Sequence, residues 1–175
     1  MTKTFFISFA VFALLVGGLL LSKRVWALPL RANAYAADIM AAERTNAMPT
    51  NLLARMLWQE SRFRPEIIDG SLISPAGAVG IAQIIPRFHP TVDPTNAIAS
   101  IYYAAGYLAA NRRRFGTWPL ALSAYNSGPG ATNKRLMEHG SDWLDHAPQE
   151  TQNYVREIVS DVPGIFLANL PEGRI

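Results

Sequence analysis

The sequence predicts a mainly α-helical protein, with one globular helical domain after an N-terminal hydrophobic helix. Apolar residues recur at three- and four-residue steps in most segments from about residue 34 onward, and Gly or Pro separates these segments. Residues 66–80, which read EIIDGSLISPAGAVG, are rich in turn formers and leave room for a short hairpin at most. At 175 residues the chain is long enough for one domain with its own core.

A hydrophobic run comes first in the chain. Residues 4–22, which read TFFISFAVFALLVGGLLLS, contain no charged side chain. As a helix this run would span roughly 28 Å, close to the hydrocarbon thickness of a bilayer. We therefore expect residues 1–33 to form a membrane anchor or signal segment and residues 34–175 to form the globular domain.

The sequence leaves two interpretations of the hydrophobic run open. It is either an uncleaved anchor, which its length favours, or a signal peptide cleaved near the small residues Ala34 and Ala36. More basic residues lie after the run than before it, which weakly favours a cytoplasmic location for the globular domain.

The globular part contains seven predicted helical segments. The Ala-rich first helix precedes one that begins near Pro49 and ends before Pro65, and the longest helix has Ile101 and Leu108 on its apolar face. Pro86 interrupts a short helix, and the GPG at residues 128–130 ends a later one. The predicted helices cover residues 34–45, 49–63, 81–86, 94–115, 118–127, 131–139 and 148–162.

The distribution of charge argues against a nucleic-acid-binding protein, although the isoelectric point is about 9.4. Residues 1–31 hold four of the 16 basic residues and no acidic one, so the rest of the chain is nearly neutral. The one compact basic cluster, at residues 112–114, ends a predicted helix, where positive charge is favourable. There is no cysteine, and the three histidines lack a carboxylate at metal-ligand spacing. We expect neither a metal nor a cofactor.

One carboxylate occupies an unusual position. In residues 52–63, LLARMLWQESRF, the apolar residues Leu53, Met56 and Leu57 recur at helical spacing and bring Glu60 to the edge of the same surface. Burying an unpaired charge is costly. Glu60 is therefore either a surface residue paired with a neighbouring arginine or a carboxyl whose protonation is perturbed for catalysis.

Four segments, in this order, resemble the catalytic domain of lytic transglycosylases of the soluble Slt type, which belong to the lysozyme superfamily. They are Glu60 and Ser61 (ES), residues 74–86 (SPAGAVGIAQIIP), residues 124–130 (AYNSGPG) and residues 148–155 (PQETQNYV). The resemblance covers roughly residues 36–165 and implies a lysozyme-like α+β fold, mainly α, with at most a small hairpin. The chain departs from the family where Ile81 and Ala82 replace the usual Leu-Met before Gln83.

The resemblance implies that Glu60 is the single catalytic acid/base. It also implies that Ser74 and Gln83 hydrogen-bond the sugar or its N-acetyl group. Tyr125 and Asn126 would position the substrate next to Glu60, and Tyr154 would close the site. The implied substrate-binding residues are Ser61, Ser74, Gln83, Tyr125, Asn126 and Tyr154.

The activity implied by the resemblance is non-hydrolytic cleavage of the MurNAc-β-1,4-GlcNAc bond of peptidoglycan, which leaves 1,6-anhydro-MurNAc ends. Ordinary glycosidases use two carboxylates, and the chain offers no obvious second one near the motifs. Asp69 in the turn region or Glu150 in the fourth motif could approach. A goose-type-lysozyme-like muramidase and a non-catalytic peptidoglycan-binding scaffold remain the alternatives.

The nature of this substrate determines the expected partners. They are peptidoglycan glycan strands, the inner membrane through the N-terminal segment, and a secretion, conjugation or phage assembly. We expect an inner-membrane-anchored protein with its catalytic domain in the periplasm, or a protein exported after cleavage near Ala34 or Ala36. The substrate lies outside the inner membrane, which outweighs the bias of the flanking charges.

Overall fold

The computed structural model describes residues 26–167, so the hydrophobic helix predicted at residues 4–22 lies outside the described residues. No helix within residues 26–167 combines the length and apolar character needed to cross a membrane. Short 3-10 helices at Leu30–Tyr35 and Gly140–Asp142 accompany the α-helices. The α-helices of this part of the chain are α1 (Ala36–Thr45), α2 (Leu52–Ser61), α3 (Pro65–Ile68), α4 (Ala97–Phe115), α5 (Trp118–Ser127), α6 (Pro129–His139) and α7 (Gln149–Asp161).

The predicted mainly α fold is confirmed. The one β-type pairing in residues 26–167 is an isolated antiparallel bridge in which Val79 and Ile84 exchange backbone hydrogen bonds of 3.0 and 2.9 Å. The short helix predicted at residues 81–86 is wrong. Gly80 at φ +79° and Gln83 at φ +47° reverse the chain between the bridge partners, and a right-handed helix cannot contain such residues.

Helix α5 lies at the centre of the domain and packs against α4, α6 and α7. Its apolar residues follow one another instead of lying on one face, as is typical of a helix buried on all sides. Leu120, Leu122 and Ala124 have no exposed surface. The turn before it is tight because Gly116 adopts φ +83° and the Thr117 hydroxyl accepts a hydrogen bond from the Leu120 amide at 3.3 Å.

The N-terminus of α2 is capped by a side chain from α1. The buried Glu43 carboxylate accepts hydrogen bonds from the backbone N–H groups of Asn51, Leu53 and Ala54, at 3.1, 2.9 and 3.3 Å. Burial raises the pKa of Glu43, and these three hydrogen bonds oppose that rise. The contact joins α1 to α2 and satisfies amides that a helix start leaves without partners. It thereby helps to position the helix whose last turn carries Glu60.

The chain before α1 is already packed against the core. Ala32 has no exposed surface, and Trp26, Leu28 and Tyr35 pack against the buried cluster. The Trp26 carbonyl also accepts a hydrogen bond from Asn51 Nδ2 at 3.4 Å. Packing therefore begins upstream of residue 34.

Candidate active site

A polar cleft of about 410 Å³ lies where α2, α5, α7 and the turn at residues 80–84 meet. Every lining side chain is a carboxylate, an amide or a phenol, which suits a ligand rich in hydroxyl and amide groups. The lining residues are Gln59, Glu60, Gln83, Asn126, Glu150, Asn153, Tyr154 and Glu157.

Glu60 is the residue whose protonation the cleft changes most clearly. It lies in the last turn of α2, half-buried, and its pKa is raised from an ordinary value of 4.5 to about 7. Desolvation by burial is the largest cause, the hydrogen bond from Tyr154 opposes it, and the negative charge of Glu150 adds to it. The carboxyl end of a helix also disfavours a negative charge. Near neutral pH, Glu60 can therefore both give and take a proton.

Tyr154 on α7 holds this carboxyl in place. Its hydroxyl donates a hydrogen bond of 2.5 Å to Glu60 Oε1, and its side chain is buried. Burial and the neighbouring Glu60 raise the pKa of the Tyr154 phenol, so it remains a donor. The contact fixes one oxygen of Glu60 and leaves the other available to a ligand in the cleft.

Tyr125 and Asn126, the substrate-binding residues predicted in the third motif, are neighbours on α5 but make different contacts. Tyr125 donates a hydrogen bond of 2.8 Å to the Ala82 carbonyl and packs edge-on against Tyr107, with 5.8 Å between ring centroids. Burial and the charge of the neighbouring Glu60 raise the pKa of its phenol, so Tyr125 lies beside the cleft, and it supports the turn that carries Gln83. Asn126 lines the cleft, and its Oδ1 accepts a hydrogen bond of 2.7 Å from the buried Thr151 hydroxyl.

Gln83 reaches the cleft through a strained turn. It adopts a left-handed φ of +47°, which is unfavourable for a residue with a side chain, and its Nε2 donates to the Gly80 carbonyl at 3.1 Å. Gly80 is required here because a Cβ at this position would lie 1.9 Å from the Pro94 carbonyl oxygen. The close approach of these two backbones sets the position of Gln83.

The two serines predicted to bind substrate do not line the cleft. Ser61 has no exposed surface, and its hydroxyl donates to the Leu57 carbonyl and accepts from the Phe63 amide, which closes the C-terminus of α2. Ser74 accepts a hydrogen bond from the Ala78 amide at 2.9 Å and closes the turn after it. Both hydroxyls satisfy local backbone groups, which is a common use of serine at turns and helix ends.

Sequence reasoning missed three residues of the cleft, namely Gln59, Asn153 and Glu157, and it left the position of Glu150 open. A pattern that could have found two of them is present. Glu150, Asn153, Tyr154 and Glu157 recur at three- and four-residue steps, so they share one face of α7. Among the described residues, no group of three or more His, Asp or Glu side chains is arranged to hold a metal ion.

Comparisons with known proteins agree with this fold. The sequence profile of the "Transglycosylase SLT domain" matches residues 38–143. The chain is 31% identical to the membrane-bound lytic murein transglycosylase D of Escherichia coli K12, over 75% of this chain and 31% of that protein, and the same figures hold for its counterpart in E. coli O6:H1. The chain thus spans about a third of the length of these curated relatives.

Two solved structures share the fold. An inactive mutant of the lytic transglycosylase Slt from Pseudomonas aeruginosa superposes with a TM-score of 0.59 at 23% identity, over 73% of this chain and 23% of that one. The 70 kDa soluble lytic transglycosylase SLT70 of E. coli gives 0.60 at 22% identity, over 77% and 24%. Because the profile match covers more than half of the sequence and the architecture agrees with it, the chain belongs to the transglycosylase SLT domain family.

Proposed function

We propose that this protein is a peptidoglycan lytic transglycosylase that cleaves the MurNAc-β-1,4-GlcNAc bond without water and leaves 1,6-anhydro-MurNAc ends. The observation that carries the proposal is Glu60, a carboxyl with a pKa of about 7 at the wall of a polar cleft, in a chain of the SLT family. Membership of that family, and the relatives named as lytic murein transglycosylases, support peptidoglycan as the substrate.

The proposed reaction uses Glu60 twice. Protonated Glu60 donates its proton to the glycosidic oxygen as the bond from that oxygen to C1 breaks, and the N-acetyl group of the substrate stabilises the positive charge on C1. The Glu60 carboxylate then takes the proton of the C6 hydroxyl as O6 bonds to C1. No water is consumed, and the enzyme returns to its starting protonation state. A pKa near neutrality suits a group that must act first as acid and then as base.

The other predicted residues take different roles in this proposal. Tyr154 orients Glu60 through its 2.5 Å hydrogen bond, and Gln83 and Asn126 offer polar groups to the sugar from their own walls of the cleft. Tyr125 acts through the Ala82 carbonyl, which it holds. Ser61 acts on the backbone rather than on the substrate, since its hydroxyl both donates and accepts locally. Ser74 holds the turn after it by accepting from the Ala78 amide.

A hydrolytic muramidase is the second candidate, and the position of Glu150 favours it. Glu150 lines the same cleft, and its charge acts on Glu60. A second carboxylate in reach of the sugar could activate a water molecule, as in inverting glycosidases. The cleft therefore holds carboxylates besides Glu60, contrary to the expectation of a single one near the motifs.

Mass spectrometry of digested peptidoglycan separates these functions. We expect muropeptides with anhydro ends, lighter than reducing ends by the mass of one water molecule. Reducing ends alone would support the muramidase, and no released sugar at all would support a non-catalytic scaffold. Glu60→Gln should remain folded and release nothing, while activity of that variant would contradict the assignment of Glu60.

We further propose that the protein acts in the periplasm, since peptidoglycan lies outside the inner membrane, and that residues 1–33 anchor or export it. Association with a secretion, conjugation or phage assembly belongs to the same proposal. The related protein of E. coli is named as membrane-bound, which supports anchoring. Membrane fractionation, with sequencing of the mature N-terminus, tests this part, and a mature chain recovered in the cytoplasm would contradict it.

A further inference from the structure

Gln59, next to Glu60 in the chain, has a side-chain orientation that its neighbour Arg55 determines. Arg55 Nη1 donates a hydrogen bond of 2.7 Å to Gln59 Oε1. A guanidinium has only donors, so the atom of the amide that faces it must be the carbonyl oxygen. The usual ambiguity between the oxygen and nitrogen of a glutamine is therefore removed here.

Arg55 is itself held in place. It is 4% exposed, and its Nε donates to Asp161 Oδ2 at 2.7 Å while its Nη2 lies 3.5 Å from Glu157 Oε2. Both acids belong to α7, so the guanidinium connects α2 to α7 behind the cleft. A planar group with three of its nitrogens engaged leaves little freedom to the amide that it binds.

The Nε2 group of Gln59 is consequently turned away from Arg55. Gln59 lines the cleft, and no side chain or backbone carbonyl in residues 26–167 accepts a hydrogen bond from its Nε2. Three other residues of the same cleft are carboxylic acids, which accept hydrogen bonds when ionised. Gln59 therefore presents an oriented neutral donor among acceptors. The amide of Asn126 differs because its partner Thr151 is a hydroxyl, which can donate or accept.

We propose that Gln59 is a substrate-binding residue, which donates from Nε2 to a hydroxyl or acetamido oxygen of the glycan, and that Arg55 is a positioning residue acting through it. This rests on the proposed function in so far as the ligand is an N-acetylated sugar chain. It adds a contact one residue from the catalytic carboxyl that the resemblance to the family did not imply.

Two substitutions of Gln59 distinguish a role in binding the glycan from a role in holding Arg55 in place. Gln59→Glu keeps an acceptor for Arg55 but replaces the donor with a second acceptor, whereas Gln59→Met removes both. We expect both variants to bind the neutral hexamer of N-acetylglucosamine roughly three- to tenfold more weakly, as for the loss of one hydrogen bond. Affinity is measured by calorimetry on the full chain carrying Glu60→Gln, which prevents turnover.

The controls cover charge and folding. Asn133→Asp on α6 adds the same charge outside the cleft and should leave the affinity unchanged. The thermal midpoint of Gln59→Glu should match that of its parent, because the contact with Arg55 is kept. If Gln59→Glu binds the hexamer as tightly as its parent, Gln59 only braces Arg55 and the proposal is wrong.

A double-mutant cycle tests the role of Arg55. Arg55→Lys keeps the charge but loses the planar fork, so the Gln59 amide can rotate and affinity should fall two- to fivefold, a rough figure for partial loss of one hydrogen bond. In the Gln59→Met background the same change should have no further effect. Additive losses would contradict the positioning role. A Glu60→Gln parent that binds neither the hexamer nor peptidoglycan would instead contradict the proposed function, and the role of Gln59 with it.

Discussion

Replacing Glu60 with Gln should stabilise the domain at alkaline pH and have little effect at acidic pH. The pKa of Glu60 is about 7 in the folded protein and near its ordinary value of 4.5 in the unfolded chain. Below pH 4.5 the carboxyl is neutral in both states, so it carries no electrostatic penalty. Between pH 4.5 and about 7 the unfolded chain has released this proton while the folded protein still holds it, so stability falls through this range. Above about pH 7 the folded state holds a poorly solvated charge and the loss is complete.

The pKa difference sets the magnitude of this effect. Each unit of pKa difference corresponds to about 1.4 kcal/mol, so the wild type loses up to about 3.5 kcal/mol of unfolding free energy between acidic and alkaline pH. This is an upper bound because Glu60 keeps some contact with solvent. In a domain of this size about 3.5 kcal/mol corresponds to roughly 7–14 °C in the melting temperature.

The assay is thermal unfolding of both proteins, monitored by circular dichroism at about pH 5 and about pH 9. Groups that titrate identically in the two proteins cancel in the comparison. Glu66→Gln, on the exposed surface of α3, serves as the control. Its partner Arg64 keeps its charge at both pH values, so this variant should give the same small difference at each. The reasoning is refuted if Glu60→Gln is no more stable than the wild type at the alkaline pH, or if its advantage is equally large at the acidic one.

Three further predictions concern the neighbours of Glu60. Tyr154→Phe removes the hydrogen bond that favours the Glu60 carboxylate, so the alkaline limb of the pH profile of kcat/KM should move to higher pH; an unmoved limb would contradict this. Glu150→Gln removes a negative charge that raises the pKa of Glu60, so the same alkaline limb should move to lower pH; an unmoved limb would show that another group titrates there. Gly80→Ala forces a Cβ against the Pro94 carbonyl, so we expect loss of activity with a lowered melting temperature, and a wild-type melting temperature would show that the turn yields.

The helices could be predicted because their apolar faces repeat along the chain. The apolar pattern of α2 predicted that Glu60 lies at the edge of an apolar surface. In the structure, desolvation at that edge is the largest cause of the raised pKa of Glu60. The face of α7 that carries Glu150, Tyr154 and Glu157 is equally periodic, so its cleft residues were within reach of the same reasoning.

Contacts between distant segments could not be predicted in this way. The turn that carries Gln83 depends on the approach of Gly80 to Pro94, and no local pattern indicates that approach. Ser61 comes directly after Glu60 in the chain, yet the end of α2 turns its hydroxyl into the core. The cap that Glu43 provides is likewise visible only once α1 and α2 are packed.

The packing of residues 26–35 limits how the protein can be processed and how far it can reach. Cleavage near Ala34 or Ala36 would separate the 3-10 helix from α1 and remove the enclosed Ala32, so a mature chain that keeps this core begins at or before Trp26. If residues 4–22 anchor the protein, only residues 23–25 separate the anchor from packed chain. Three residues extend at most about 10 Å, so such a tether would hold the N-terminal side of the domain close to the bilayer.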